Sequence, residues 1–344
     1  MNGEMLTLRA YFAERQRTGH RFVADALSDL CEQHRIATSV VLRAIAGFGP
    51  SHVVRSDRTL SLSEDPPVTV WATDRAERIR ALADDAAQLI ASGMLTLERG
   101  GLRRAEETTG ARLTLHLGRK HRVAGTVGYV AVCDVLRRLG FLSGDVYLGV
   151  DGTFGGQRRR AKFFSGNTDV PLSIVAVGTS AQAAAAIDEL RTVLPEIVFS
   201  VTATTLCKAA GRHLATPAAT DGPFQQLTVL TEEAPRRGGR PVHRALIRRL
   251  EESGPAGGAT VIRAIRGFRG AQAPHGDRFL QVTRHAPVST IIAGTTADIA
   301  ATYPLVDELT EREGLVTVEP LPGMLEVHSG HRFGDLRPAD DHRE

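Results

Sequence analysis

The hexapeptide Ala44-Ile45-Ala46-Gly47-Phe48-Gly49 returns, slightly changed, as Ala264-Ile265-Arg266-Gly267-Phe268-Arg269. Val41-Leu42-Arg43 precedes the first and Val261-Ile262-Arg263 the second. Pro67-Val68 and Pro287-Val288 stand at the same offset of 220 residues. "GMLTLE" (93–98) and "GLVTVE" (314–319) close the two stretches, and "LTLRAY" (6–11) and "LTVLTE" (227–232) open them. Agreement in order and spacing over such a length marks a duplicated domain, which constrains the fold more than composition does.

A third, more diverged copy lies between. "LTLHLG" (113–118) opens it, "VYLGVDGTFGG" (146–156) stands where the glycine motif is expected, and Pro171-Leu172 matches Pro67-Val68. A cation precedes each of these prolines by nine residues: Arg58, Lys162 and Arg278. The openings at 6, 113 and 227 set a period of roughly 110 residues, too long for a solenoid module, so each unit should own a core. The boundaries expected are 1–104, 110–210 and 222–322, with short linkers rich in Gly, Ala, Thr and charge. The remainder, 325–344, is polar and reads as a disordered tail.

Within the first copy, Leu6 and Leu8 alternate with polar residues as a half-buried strand requires. After the turn at Gly19-His20, Phe22, Val23, Ala26, Leu27 and Leu30 recur at helical spacing. "TSVVLRAIAGFG" reads as one β-branched strand ending in glycines, and "PPVTVWAT" as a strand that begins with proline. Residues 75–90 form a second amphipathic helix and "MLTLE" a last strand. The order is β-α-β-β-α-β, and it can be traced in all three copies. The fold class is α+β: three ferredoxin-like βαββαβ repeats. Each leaves one sheet face bare, and three such faces turned toward a common axis would hide one another.

The 344 residues carry a formal net charge of +3. The middle third holds the excess, thirteen Lys/Arg against seven Asp/Glu in 108–216. No run reaches the ~18 apolar residues of a membrane span, and the N-terminus lacks the order of a secretory signal, so a cytoplasmic location is expected. Three cysteines, Cys31, Cys133 and Cys207, without CxxC spacing read as buried apolar residues. No HExxH, GxSxG or Walker loop occurs, which argues against an enzyme, and neither a cofactor nor a metal site is expected.

The βαββαβ order, "GFG" at the end of the second strand, the proline-led third strand and the closing "GxLTLE" pattern resemble the PII-like signalling proteins. The likeness is to their divergent bacterial branch, a domain of unknown function. It covers about 6–100 and 227–320 well and 113–206 weakly. Such proteins are homotrimers with ligand clefts between subunits, so the resemblance implies that this chain is a monomeric pseudo-trimer. It also implies a regulator that binds a small anion, nucleotides among the candidates, and signals to a protein partner such as a membrane transporter; nucleic acid is not expected. The alternative is a scaffold whose clefts are empty. The chain departs from PII proteins in lacking their glycine-rich phosphate loop before each last strand.

The candidate ligand residues follow from the glycine motif and the charge. Gly47, Gly49, Gly152 and Gly267 would permit close backbone approach to a ligand or, alternatively, a tight turn. Arg158, Arg159, Arg160 and Lys162 concentrate cations able to fork onto phosphate or carboxylate, and Arg58 and Arg278 hold the place of Lys162 in the other copies. Nothing in the run itself offsets the mutual repulsion of Arg158–Lys162. Phe48 and Phe268 read as core plugs. His20 and His243 read as equivalent residues at the start of the first helix of their copies.

Overall fold

The computed structural model describes residues 4–56, 65–101, 110–161, 170–218, 222–234, 236–237, 239–253, 256–270, 272, 274–276, 286–311 and 314–337. The first repeat comprises β1 (Met5–Ala13), α1 (Val23–Gln33), β2 (Thr38–Arg43), β3 (Pro67–Arg75), α2 (Ala76–Leu89) and β4 (Gly93–Gly100). The second comprises β5 (Gly110–Gly118), α3 (Gly128–Arg138), β6 (Ser143–Leu148), β7 (Pro171–Gly178), α4 (Ser180–Val193) and β8 (Val198–Ala209). The third comprises β9 (Phe224–Glu232), α5 (Val242–Ser253), β10 (Ala259–Arg263), β11 (Pro287–Thr295), α6 (Thr296–Leu309) and β12 (Leu315–Leu321). Two further strands, β13 (Gly323–His328) and β14 (His331–Asp335), follow.

Each repeat forms an antiparallel sheet with the same order, β2-β3-β1-β4, β6-β7-β5-β8 and β10-β11-β9-β12. Two helices cover one face of each sheet, and three separate apolar cores lie between helices and strands. The periodicity that predicts the helices is what buries Ile79, Leu82 and Ala86 in the first repeat and Ile187 and Leu190 in the second. Thr179 and Thr295 cap α4 and α6 in reciprocal capping boxes with Gln182 and Asp298. The other sheet faces meet in a fourth cluster drawn from all three repeats, including Leu42, Trp71, Tyr147, Ile262 and Ile291. At its margin Arg9 pairs with Glu98 at 2.9 Å, Glu98 with Arg112 at 2.7 Å, and Thr204 donates to Glu319 at 2.6 Å, all buried.

The glycine motif is not the end of a strand. β2 stops at Arg43, and Ala46–Phe48 leaves the first repeat to pair with β10 of the third. Arg266–Arg269 leaves the third repeat to pair with β6 of the second, and Thr153–Phe154 leaves the second to pair with β2 of the first. These three arms run in one cyclic order. A second exchange runs the other way. The end of β8 (Thr205–Ala209) pairs with β12 of the third repeat, and β13 pairs with β4 of the first. Gly101, which follows β4, donates to the Val201 carbonyl of the second repeat.

The segment from Leu325 is therefore not a disordered tail within the described residues. Ser329 and Gly330 both take left-handed φ, 49° and 81°, and fold β13 onto β14. The same turn, Ala210 and Gly211 at 48° and 76°, folds β8 onto Arg212–His213. Leu325, Val327 and Leu336 join the core of the first repeat, and Met324 joins the central cluster. Both faces of β13 are covered, Leu325 and Val327 by the first core and Met324 by the central cluster, and the half-buried Glu326 and His328 between and after them hide this role in the sequence.

Two other expectations need correction. The register of the strands makes Ala13, Gly118 and Glu232 equivalent, each paired with a strand-opening proline. Leu8, Leu113 and Leu227 then correspond, so the first opening is two residues later than the sequence alignment placed it. His20 and His243 are not equivalents: His20 is exposed before the helix, whereas His243 is the second residue of α5 and buried.

Candidate functional site

A cleft of about 310 Å³ lies between the first and third repeats. Its walls come from the end of β1 with the turn beyond it (Tyr11–Gln16), the arm from Phe48 to Arg55, the start of β4, and Gly258–Thr260 of the neighbour. Tyr11, Pro67, Met94, Ile291 and Ala293 supply an apolar lining. Arg15 and Arg55 stand in the wall with Asp65, which accepts from the Arg15 backbone N–H at 2.6 Å and pairs with Arg55 at 2.5 Å. Gln16 also lines it, and its Nε2 is buried without a hydrogen-bond partner. The cleft is thus apolar in body, and among the described residues Arg15, Arg55 and Asp65 are the charged groups in its lining.

Gly47, Gly152 and Gly267 mark the points where the arms cross to their neighbours. A Cβ on Gly47 would sit 2.6 Å from the Ala259 carbonyl and 3.0 Å from Pro67. On Gly267 it would sit 2.7 Å from both the Gly144 carbonyl and Pro287, and on Gly152 it would meet the Ser39 carbonyl and Pro171. Each glycine is pressed between its own repeat's proline and the backbone of the next repeat. Of the three, only Gly152 has a left-handed φ, of 147°, so the common requirement is space and not a turn conformation. Gly49 differs: a Cβ there would meet nothing within 4 Å, and Gly49 lines the cleft. Phe48 and Phe268 plug cores, but the cores are those of the neighbouring repeats.

The basic run of the middle repeat is engaged elsewhere. Arg158 pairs with Asp151 of its own arm and with Asp29 and Asp25 on α1 of the first repeat, the last at 3.2 Å. Its backbone N–H donates to Glu32 at 3.1 Å. Hydrogen bonding to Asp151, working against partial burial, holds the guanidinium firmly in its charged form. Arg160 pairs with Asp25 at 3.1 Å, while Arg159 is bonded to Gln157 at 3.0 Å. The repulsion within the run is thus relieved by Asp151, seven positions earlier, and by Asp25 and Asp29, some 130 positions earlier, a partnership that local sequence cannot show. Arg58, Lys162 and Arg278 lie outside the described residues.

At the equivalent position of the other two junctions a side chain stands where the first arm has none. Gly49, Phe154 and Arg269 each stand two residues beyond the crossing glycine of their arm. Between the second and first repeats, the Phe154 ring lies edge-on to His121 at 5.3 Å. His121 occupies the place of Gln16, its N–H donating to Gly118 as that of Gln16 does to Ala13. Between the third and second repeats, Arg269 donates to both oxygens of Asp145, at 2.5 and 3.1 Å, and approaches Glu232 at 3.9 Å. Glu232 in turn meets His275 at 2.9 Å. Asp145, Glu232 and His275 stand where the first cleft has Thr260, Ala13 and Arg55.

All three cysteines are free and buried, and burial pushes each thiol up to about 12. Among the described residues no group of three or more His, Cys, Asp or Glu side chains is arranged to hold a metal ion, and no helix is long and apolar enough to cross a membrane.

Solved structures resemble this chain only remotely. An unknown protein from Galdieria sulphuraria is 11% identical over 58% of this chain and 98% of its own length, with a TM-score of 0.18. A putative glycine cleavage system transcriptional repressor is 11% identical over 58% and 97%, with a TM-score of 0.16. Family-level similarity is far clearer: residues 5–100, 110–206 and 224–322 each match the DUF190 model, described as an uncharacterized ACR. The chain belongs to this family, as a divergent PII-like protein made of three fused repeats.

Proposed function

We propose that this chain is a non-enzymatic PII-like regulator whose three repeats close on themselves as a pseudo-trimer. It binds a small anionic ligand between the first and third repeats and signals the bound state to a protein partner, for which a membrane transporter is the candidate the family resemblance supplies. A cytoplasmic location fits this role. The observation that carries the reading is the cleft itself: an apolar cavity lined by Arg15, Arg55 and Gln16, whose buried Nε2 lacks a hydrogen-bond partner. Guanidinium groups are directional, forked donors to anions, which favours a phosphate or carboxylate there. The two cyclic strand exchanges support closure within one chain, because they leave no repeat's arm without a neighbour to receive it.

The test is a thermal-shift screen of nucleotides, cyclic nucleotides and small carboxylates, since a ligand that binds only the folded chain raises its melting temperature. An active compound should lose at least tenfold in affinity in Arg55→Met. The competing reading, a scaffold with no ligand, draws on the side chains of Phe154 and Arg269 at the other two junctions, and a screen in which no compound shifts the melting temperature would favour it. Light scattering tests closure independently: the expected mass is that of one chain, 37.0 kDa, and a dominant species three times larger would overturn it.

A further inference from the structure

One position of the arm distinguishes the open cleft from the other two junctions. Each arm pairs with its neighbour in the same register, the crossing glycine of the first opposite Thr260 and that of the third opposite Asp145. Two residues on, the backbone presents a side chain to the cleft. In the first arm this residue is Gly49, with nothing within 4 Å of where a Cβ would be. In the second it is Phe154, which meets His121, and in the third it is Arg269, which meets Asp145. Burial weakens the Arg269 cation and the adjacent Asp145 carboxylate more than restores it, so this arginine is held where it is and does not wait for an external anion.

We infer that the chain carries one ligand site and not three: Phe154 and Arg269 are built-in occupants of their clefts, and the absence of a side chain at Gly49 keeps the first cleft open. The lining of that cleft also sets the ligand class. An apolar body fits along Tyr11, Pro67 and Ile291, an acceptor atom meets Gln16 Nε2, and an anionic group meets the Arg55 side. The ligand is an organic anion with an apolar body, and a bare inorganic ion would leave the lining unused. This inference rests on the proposed role of the cleft as a binding site and adds to it the number of sites and the residue that determines it.

Anilinonaphthalene sulfonate, an organic anion with an apolar body, is a suitable probe. Fluorescence titration and calorimetry of the full chain should give one site. Gly49→Phe should lower the affinity at least tenfold without lowering the melting temperature, because the new side chain enters open space. Gly49→Ala, too small to fill the cleft, should keep the site. Phe154→Gly should add a second site. Three equivalent sites in the unaltered chain, or undiminished affinity in Gly49→Phe, would overturn the inference while leaving the cleft as a binding site. One site only in Phe154→Gly would overturn the role of Phe154 as an occupant. No binding to the unaltered chain would instead overturn the open cleft itself, and with it the reading on which the inference rests.

Discussion

Arg158 of the second repeat and Asp29 of the first, 129 positions apart, form an ion pair on the outer face of α1. Asp25 and Asp151 join it, so that one guanidinium ties the second arm to the helix of the repeat that receives it. With 16% of its side chain exposed, Arg158 is sheltered enough for the pairing to matter to stability.

Arg158→Ala should therefore destabilise the fold by about 2 kcal/mol, since it leaves three carboxylates without their shared donor. Arg159→Ala, which removes a bond to Gln157, should stay within about 0.5 kcal/mol. Urea denaturation of the two variants is the check, and equal midpoints would show that the second arm is held by its strand pairing alone.

The crossing glycines should tolerate no side chain. Gly47→Ala and Gly267→Ala each place a methyl against a neighbour's carbonyl and a proline ring, and overpacking of this kind costs about 1–3 kcal/mol. Gly49→Ala, two residues along the first arm, should cost only a few tenths. A melting curve for Gly47→Ala that matches the parent would mean that the arm can lift off its neighbour without loss.

Acid should weaken the fold through two histidines. Burial holds the His116 imidazole down to about 3 and that of His243 to about 4, against an unfolded value near 6.5. Both are thus neutral in the native state, and the unfolded chain takes up their protons first as pH falls. The stability they permit is complete above about pH 6.5 and is lost toward pH 4, on the order of 1 kcal/mol per pH unit for each imidazole. Both ring nitrogens of His243 lack partners, so His243→Leu should remove its share of the acid sensitivity without loss at pH 7.5. Denaturation at pH 7.5 and pH 5 measures both effects, and an unchanged pH slope in His243→Leu would contradict the assignment.

Removal of the chain after Pro322 should cost on the order of 5 kcal/mol. It takes Met324, Leu325, Val327 and Leu336 out of the two clusters that they help to fill, each worth about 1.5–3 kcal/mol when fully buried, and bares the edge of β4 from Gly93 to Leu97. Exposed edges pair with other chains, so size-exclusion chromatography should show association as well as a lower melting temperature. A truncated chain that stays monomeric with an unaltered melting temperature would show that β13 and β14 are dispensable.

The sequence by itself determined the number of repeats, the βαββαβ order and, apart from Phe22, which stands exposed before α1, the helix faces, because these depend on local periodicity and on motifs that recur at fixed spacing. Gly47, Gly152 and Gly267 were also legible as one feature, since a residue that must lack a Cβ recurs as glycine whatever surrounds it. The tertiary structure decided what they approach: a neighbouring repeat's backbone, reached across the chain. Strand register escaped detection for a related reason. A shift of two residues leaves every side chain on its original face, so alternation of Leu and Thr around Leu6 and Leu113 cannot reveal it, whereas the pairing of Ala13 with Pro67 and of Gly118 with Pro171 does. The partners of Arg158, the pairing of Phe154 with Thr38, the contact of Arg269 with Asp145 and the pairing of β13 with β4 likewise depend on segments 100 to 240 positions apart. Such contacts form only when the three sheets are brought together, because burying the bare sheet faces sets where each arm and strand edge must lie.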